Sequence, residues 1–221
     1  MVRRRPLLLS AAALPVWTMT AGCSSVRSKE SYDEVVQQTF RHADRFDLAC
    51  IDAQRELVRY ACMAANSHNT QPWIFRIGEG CIDLTADHDR RCPVVDPVDH
   101  HVHASLGAAA ENIVTAAEAF GLRGDLALDE GKVSIKLEPA PSKRTAAFEA
   151  IPERQCTRAS FDGRAVPADL LRDLEAVASS PSVDLFLLTG DSRKKQIIDF
   201  VVAGNSAQMD DDAFIQELRS W

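Results

Sequence analysis

The chain has 221 residues, of which 46% are hydrophobic and 26% are charged, a composition typical of a folded globular protein rather than a disordered or fibrous one. It carries 25 Lys and Arg against 32 Asp and Glu, which gives a formal net charge of −7. A surface with this excess of negative charge repels phosphate backbones, so the composition argues against nucleic acid as a partner.

The N-terminus, residues 1–22, has the pattern of an export signal. Three arginines at 3–5 precede an apolar run over 6–17, and small residues then lead to Cys23. These small residues resemble a bacterial lipobox, in which the cysteine is acylated, although Thr20 stands where a lipobox usually has Leu. We therefore predict an exported protein, periplasmic or at the cell surface, that is anchored to a bacterial membrane by lipid on Cys23.

Other readings of the N-terminus stay open. The paired arginines before the apolar run also resemble a twin-arginine signal, which exports proteins that are already folded. A plain cleaved signal or a wrongly assigned start are further alternatives. An uncleaved membrane anchor is another, although the apolar run is short for a spanning helix.

The next part of the chain alternates helical and strand patterns. Residues 23–48 are predicted to form a polar tether and a first helix, because apolar residues recur there at helical spacing. Residues 49–142 are predicted to form the first half of the fold, which opens with a second helix over 52–65. Pro72 ends helical continuation, and the alternating apolar residues of 73–84 predict a β-hairpin.

A long helix and a second hairpin follow. The apolar residues between Leu106 and Phe120 have helical spacing, and Gly121 follows them as a C-cap. The alternation over 126–137 predicts the second hairpin, and 139–143 reads as a linker.

Residues 143–221 are predicted to form a partial second half. A helix starting at Pro167, a helix around 197–202 and an amphipathic helix at the end are predicted, with a buried strand over 183–189. Because the sequence stops on Trp221 within an apolar helical pattern, we expect the chain to be cut short within a domain.

The segment 65–73, between the second helix and the first hairpin, is the most informative for function. It carries hydroxyl, imidazole and amide groups in close succession, which an ordinary connection does not require. Such a segment can present polar groups to the edge of a flat heterocycle, with Trp73 packed behind it. The alternative is an Asx-rich turn that caps the helix. The candidate binding residues are Asn66, Ser67, Asn69 and Gln71.

Several motifs of the chain resemble those of one enzyme family. The string SxNxQPW at 67–73 resembles the flavin-binding loop of the nitroreductase family. The strings DLxADxDR at 83–90, PVxDP at 93–97 and GAAxxN at 107–112 are similar, in order and spacing, to its Acg-like branch. The likeness spans about 52–221. It implies an α+β, nitroreductase-like fold with helices packed around a mixed β-sheet, an incomplete second half and FMN as the cofactor.

A second motif resembles the phosphate-binding pattern of the same family, Arg-x-Ser/Thr-x-Lys/Arg. Arg154 and Arg158 match its two basic positions, and guanidinium groups bind phosphate by charge-assisted hydrogen bonds. Cys156 falls where the hydroxyl is expected, and the neighbouring Thr157 is the candidate to replace it. The resemblance therefore implies that these four residues bind FMN. Without it, two arginines ahead of a helix are typical of solvated surface.

The order of the motifs resembles the Acg-like branch, in which two related halves are fused. The polar segment comes first and the phosphate motif follows about 85 residues later, which implies a pseudo-dimer within one chain or a homodimer. The implied activity transfers electrons from reduced nicotinamide, NAD(P)H, or another donor through FMN to nitroaromatic or quinone acceptors. No side chain is required as a nucleophile or general base. The alternatives are an FMN-sequestering protein without turnover, or a degenerate, truncated lipoprotein without a cofactor.

Histidines and aspartates suggest a competing hypothesis that we do not favour. Imidazoles and carboxylates together can bind zinc or copper, but a solvated helix entrance is the favoured interpretation, so no metal site is predicted. If Cys23 is acylated, the five other cysteines cannot all pair, and most are expected to be buried apolar thiols. The residues of the competing hypothesis are His88, Asp96, Asp99, His100, His101 and His103.

Overall fold

The computed structural model describes residues 31–43, 46, 51–177 and 184–221, with the side chains of 51 and 52 excluded. The predicted export signal, Cys23 and most of the tether lie outside the described residues. The chain divides into two compact units, of which the first ends at Arg154 and the second begins at Gln155. The first unit therefore includes residues 143–154, and the division of the chain into two related halves at 142/143 stays a prediction.

Helices and strands both contribute to the described part of the first unit, which confirms the α+β class. Two short 3-10 turns, Ser67–Asn69 and His88–Arg90, follow α2 and β2 respectively. The helices are α1 (Tyr32–Thr39), α2 (Ile51–Cys62), α3 (His100–Ala119) and α4 (Ala146–Ala150); the strands are β1 (Trp73–Gly78), β2 (Cys81–Ala86), β3 (Leu122–Asp129) and β4 (Lys132–Pro139).

The four strands form one sheet in the order β1-β2-β4-β3. Both predicted hairpins are confirmed, with Phe75 opposite Leu84 in the first and Leu126 opposite Ile135 in the second. The hairpins join where Ile82 lies opposite Ile135. Every described strand pair is antiparallel, so the sheet of this unit differs from the predicted mixed sheet. Tight turns connect the strands of each hairpin, and such turns permit only antiparallel pairing.

The hydrophobic core lies between one face of this sheet and the helices α2 and α3. Leu57, Leu84, Ile113 and Ile135 are fully buried in it. Each such side chain stabilises the fold by about 1.5–3 kcal/mol on burial. Gly124 of β3 permits the close approach of α3, because a Cβ there would lie 3.0 Å from a methyl group of Val114.

The helix α1 is shorter than the predicted first helix, whose pattern extends to Phe46. The half-buried Arg59 and the buried Tyr60 of α2 form hydrogen bonds with the chain just after α1. Arg59 Nη1 donates to the carbonyls of Thr39 and Arg41, at 2.6 and 2.8 Å, and the Tyr60 hydroxyl accepts from the N–H of Ala43 at 2.9 Å. These contacts bind backbone groups that a longer helix would need for itself.

The helix α3 begins at His100, six residues before the first apolar position that predicted it. Asp96 explains the early start, because its carboxylate accepts from the backbone N–H groups of His100 and His101 at 2.8 and 2.7 Å. Burial by itself would raise the pKa of Asp96, but these N–H groups and that of Val102 hold it below its ordinary value of 3.8. At its other end α3 has Phe120 as its C-cap, and the predicted Gly121 follows it with a φ of +80°, the left-handed conformation that commonly ends a helix.

The short helix α4 was not predicted from the sequence, yet it belongs to the core. Its Phe148 is fully buried, and the Thr145 hydroxyl caps the helix by accepting from the Phe148 N–H at 3.2 Å. The preceding linker is also tied to α3, since the Ser142 hydroxyl donates to the carbonyl of Ala119 at 2.7 Å.

The second unit contains α5 (Ala168–Val177), α6 (Asp191–Met209) and α7 (Asp212–Ser220), which confirms its three predicted helices. The predicted strand over 183–189 is wrong for 184–189, which have no regular secondary structure; residue 183 lies outside the described residues. A strand needs a hydrogen-bonded neighbouring strand, and the described residues of this unit form no strand that could pair with 184–189. Among the described helices, none combines the length and the apolar character that crossing a membrane requires.

Candidate functional site

The polar loop, residues 66–72 between α2 and β1, has an unusual backbone. Its residues His68, Asn69 and Gln71 have φ angles of 49°, 56° and 51°. Residues other than glycine uncommonly adopt this left-handed region, although Asn and His do so more often than most; for Gln71 it costs about 1–2 kcal/mol because Cβ crowds the backbone. Such strain persists only where the surroundings enforce it, and it is concentrated at functional sites.

The strained backbone separates buried from exposed side chains. Thr70, Pro72 and Trp73 are buried, whereas the intervening Gln71 and the preceding Asn69 are exposed. The loop is therefore anchored in the protein by one set of residues while it presents two amide side chains outward.

Asn66 shapes the loop from within. Its Oδ1 accepts from the backbone N–H of Gln71 at 2.9 Å, and its Nδ2 donates to the carbonyl of Ala64 at 3.2 Å. The Thr70 N–H donates to the carbonyl of Ser67 at 3.0 Å. Both polar atoms of the Asn66 side chain thus have partners in the backbone, and its role as a flavin ligand stays a prediction.

Arg90, in the 3-10 turn after β2, holds the loop from outside. Its Nη1 donates to the carbonyl of Thr70 at 2.9 Å, and its Nε lies 3.7 Å from Asp87 Oδ2. The N–H of Asp87 in turn donates to the carbonyl of Pro72 at 3.1 Å. Arg90 belongs to one of the family-like motifs, but the sequence does not predict this role, because its contact spans 20 residues of sequence.

Arg154 reaches the start of the same region. Its Nη2 donates to the carbonyl of Met63 at 3.0 Å, just after the last residue of α2 and three residues before Asn66. A guanidinium at this position also interacts favourably with the negative end of the helix dipole. The structure therefore brings one of the predicted phosphate ligands to the residues that lead into the polar loop.

The other three predicted phosphate ligands, Cys156, Thr157 and Arg158, belong to the second unit. They are exposed and lie in the irregular segment ahead of α5. In the first unit, Ser67 is half-buried at the start of the polar loop.

A thiol contacts Trp73, the residue that follows the loop. Cys62, the last residue of α2, is half-buried and shares a hydrogen bond with the Trp73 side chain. Burial raises the pKa of this thiol, an effect that the hydrogen bond to Trp73 only partly offsets. Cys62 is therefore a poor nucleophile at neutral pH and acts as part of the packing behind the loop.

Five residues of the competing metal hypothesis lie at or just before the start of α3, and His88 lies in the 3-10 turn after β2. His101 and His103 lie in the first turns of this helix, where two positions correspond to a rotation of about 200°, so they do not share a face. Both oxygens of Asp96 accept backbone N–H groups, and Asp99 Oδ1 accepts from Arg91 Nε at 2.7 Å. Over the described ranges, no three histidine, cysteine or acidic side chains are grouped as metal ligands.

Comparison with known proteins identifies distant relatives. No family model matches the chain. Two curated proteins from Mycobacterium tuberculosis, one from strain CDC 1551 / Oshkosh and one from strain H37Rv, are each 25% identical to it over 175 residues. The aligned part covers 76% of this chain and 50% of each relative, so the chain spans about half the length of the curated relatives it matches. Both carry the name "Putative NAD(P)H nitroreductase". These matches support a relationship of the chain to the nitroreductase family.

Proposed function

We propose that this protein is an FMN-dependent oxidoreductase of nitroreductase type, from the Acg-like branch. The observation that carries the proposal is the geometry of the polar loop. Its backbone adopts left-handed φ angles, its residues Thr70 and Pro72 are buried, and its side chains Asn69 and Gln71 are exposed. The names of its distant relatives support the nitroreductase chemistry.

The side chains of the loop fit the polar edge of a flavin ring. That edge has both carbonyl oxygens and ring nitrogens, and an amide side chain can donate and accept at the same time. Asn69, Gln71 and the half-buried Ser67 are the residues that we assign to it. Asn66 is assigned to the shape of the loop instead, because its side-chain oxygen already accepts from the N–H of Gln71.

The FMN phosphate is assigned to the second motif. Arg154 and Arg158 would supply two guanidinium groups for charge-assisted hydrogen bonds, with Thr157 or Cys156 beside them. The contact of Arg154 with Met63 supports this assignment, since it holds a positive charge close to the start of the loop. We propose that Arg158 and Arg154 bind the same phosphate, within one chain or in a homodimer.

The redox chemistry belongs to the cofactor, which when bound accepts hydride equivalents from a donor and passes electrons to an acceptor. We propose reduced nicotinamide as the donor and a nitroaromatic or quinone as the acceptor. The protein's own residues bind and orient the ring and the phosphate, and none is assigned a covalent or acid–base step.

The proposed location is outside the cytoplasm, with a lipid anchor on Cys23. The support is the sequence pattern of residues 1–23. Labelling with a radioactive fatty acid in a bacterial host tests it: the native sequence should incorporate label into the membrane fraction, and Cys23→Ala should not. Incorporation that persists in Cys23→Ala would contradict the anchor.

The visible spectrum of the purified protein after incubation with FMN and gel filtration tests the function. We expect a retained flavin that NAD(P)H bleaches under anaerobic conditions and that a nitroaromatic compound reoxidises. A flavin that is retained but not reduced would favour a sequestering protein, and no retained flavin would contradict the proposal.

A further inference from the structure

We propose that Arg90 is a positioning residue that sets the conformation of the polar loop and thereby the direction of its exposed amides. The inference rests on the proposed function for the identity of the ligand, which is a flavin ring. The effect of Arg90 on the loop itself can be measured without any ligand.

The peptide plane between Thr70 and Gln71 is held at both of its polar ends. Its carbonyl accepts from Arg90 Nη1 at 2.9 Å, and its N–H donates to Asn66 Oδ1 at 2.9 Å. These two bonds together determine ψ of Thr70 and φ of Gln71, because both torsions rotate this plane.

The two bonds hold Gln71 in a backbone conformation that is unfavourable for an L-residue. Its φ of 51° follows a right-handed Thr70, with φ −68° and ψ −19°. An L-residue is about tenfold less populated in the left-handed region than in its ordinary regions. If the plane were released, it could rotate and return Gln71 to negative φ, which would redirect the exposed amide.

The sheet holds Arg90 in place for this task. Trp73 pairs with Ala86 at the end of the first hairpin, and the bond from Asp87 N–H to the Pro72 carbonyl extends that pairing by one step. Asp87 also lies next to the Arg90 guanidinium. Arg90 is therefore held in position by the regular hairpin, and its hydrogen bond stabilises the irregular loop beside it.

Amide hydrogen exchange of the flavin-free protein tests the positioning role. We expect Arg90→Ala to accelerate exchange of the Thr70 and Gln71 amides by about tenfold, the effect of losing one charged hydrogen bond. Exchange of Ile82 and Leu84 in β2 should not change. Arg76→Ala, which removes an exposed arginine from β1, is the matched control and should leave the loop amides as they are. Unchanged loop amides in Arg90→Ala would overturn the inference.

Two further variants keep the test decisive. Arg90→Gln is too short to reach the Thr70 carbonyl, so it should reproduce the loop-confined acceleration even if Arg90→Ala does not fold. Arg90→Lys keeps one donor of sufficient reach and should recover part of the protection. Acceleration that extends equally through β2 would indicate general destabilisation and overturn the positioning role.

Binding of FMN and of riboflavin, which lacks the phosphate, distinguishes an effect on the ring end of the site from an effect on the phosphate end. Because Arg90 acts through the loop, Arg90→Ala should weaken binding of FMN and of riboflavin by the same factor, about tenfold. A loss for FMN alone would place Arg90 at the phosphate and overturn the inference. If the native protein binds neither flavin, the proposed function fails, and the exchange experiment still decides whether Arg90 shapes the loop.

Discussion

Arg154 donates a hydrogen bond from Nη2 to the backbone carbonyl of Met63 at 3.0 Å, although the two residues are 91 positions apart in sequence. The bond joins the last residue of the first unit to the segment between α2 and the polar loop. The bond thereby connects Arg154, a predicted phosphate ligand, to the start of the polar loop, the predicted ligand of the flavin ring, within one unit.

Replacing Arg154 should weaken FMN binding but not riboflavin binding. We expect Arg154→Ala to raise the Kd for FMN by about tenfold to a hundredfold, since a charged hydrogen bond contributes about 1.5–3 kcal/mol. Fluorescence titration with both flavins measures this difference. Arg123→Ala, an exposed arginine on β3, is the control. Equal affinity of Arg154→Ala and the native protein for FMN would refute the phosphate assignment.

The two asparagines of the polar loop should respond differently to substitution. Asn69→Gly removes an exposed amide, and glycine suits the left-handed φ of 56°, so the melting temperature should be unchanged while flavin affinity falls. Asn66→Ala leaves the Gln71 N–H without its partner and should lower the free energy of unfolding by about 1–2 kcal/mol. Thermal unfolding and flavin titration of both variants check this contrast. Loss of stability in Asn69→Gly with unchanged flavin affinity would show that Asn69 is structural.

Asp96 should make the protein sensitive to acid. Because the pKa of its carboxyl is lower in the folded protein than the ordinary value of 3.8, its stabilising effect is fully present above that value and is lost as pH falls through the folded pKa. We expect Asp96→Asn to lower the free energy of unfolding by about 1 kcal/mol at pH 7 and by much less near pH 3.

Denaturant titrations of Asp96→Asn at both pH values provide the measurement. Asp129→Asn, which changes an exposed carboxylate at the end of β3, should have little effect at either pH. A deficit in Asp96→Asn that is as large near pH 3 as at pH 7 would show that charge on Asp96 does not matter.

Phe148 should be among the most costly residues to truncate. It is fully buried, and its ring centroid lies 5.4 Å from those of both Tyr60 and Phe120. We expect Phe148→Ala to lower the free energy of unfolding by about 3–5 kcal/mol, whereas Leu128→Ala, at a side chain that is 77% exposed, should stay within about 0.5 kcal/mol. Urea denaturation measures both. A small effect of Phe148→Ala would mean that α4 is not part of the core.

Local patterns predicted the regular elements, and long-range contacts account for the differences. Alternation of apolar residues was sufficient for both hairpins, because each is completed within a few residues of its turn. The start of α3 was placed too late because its cap, Asp96, lies outside the helix and acts across a turn. The predicted strand over 183–189 is wrong for 184–189 because an apolar run does not specify a neighbouring strand.

The candidate loop could be identified from its composition, but its geometry could not. Positive φ at Gln71 has no sequence signal, since glycine, and less often Asn or His, are the residues that usually mark it. The hydrogen bond from Arg90 to the Thr70 carbonyl depends on the hairpin that separates the two residues in sequence. Sequence also gave no sign that Asn66 uses its own amide to close the loop.

The most direct test of a flavin-binding polar loop is an NMR titration of the isotopically labelled protein with FMN. We expect saturable changes in chemical shift, largest for the backbone and side-chain amides of Ser67, Asn69 and Gln71, with β3 and its turn unaffected. Saturable FMN binding whose largest shifts lie away from the polar loop, or no binding at all, would contradict it.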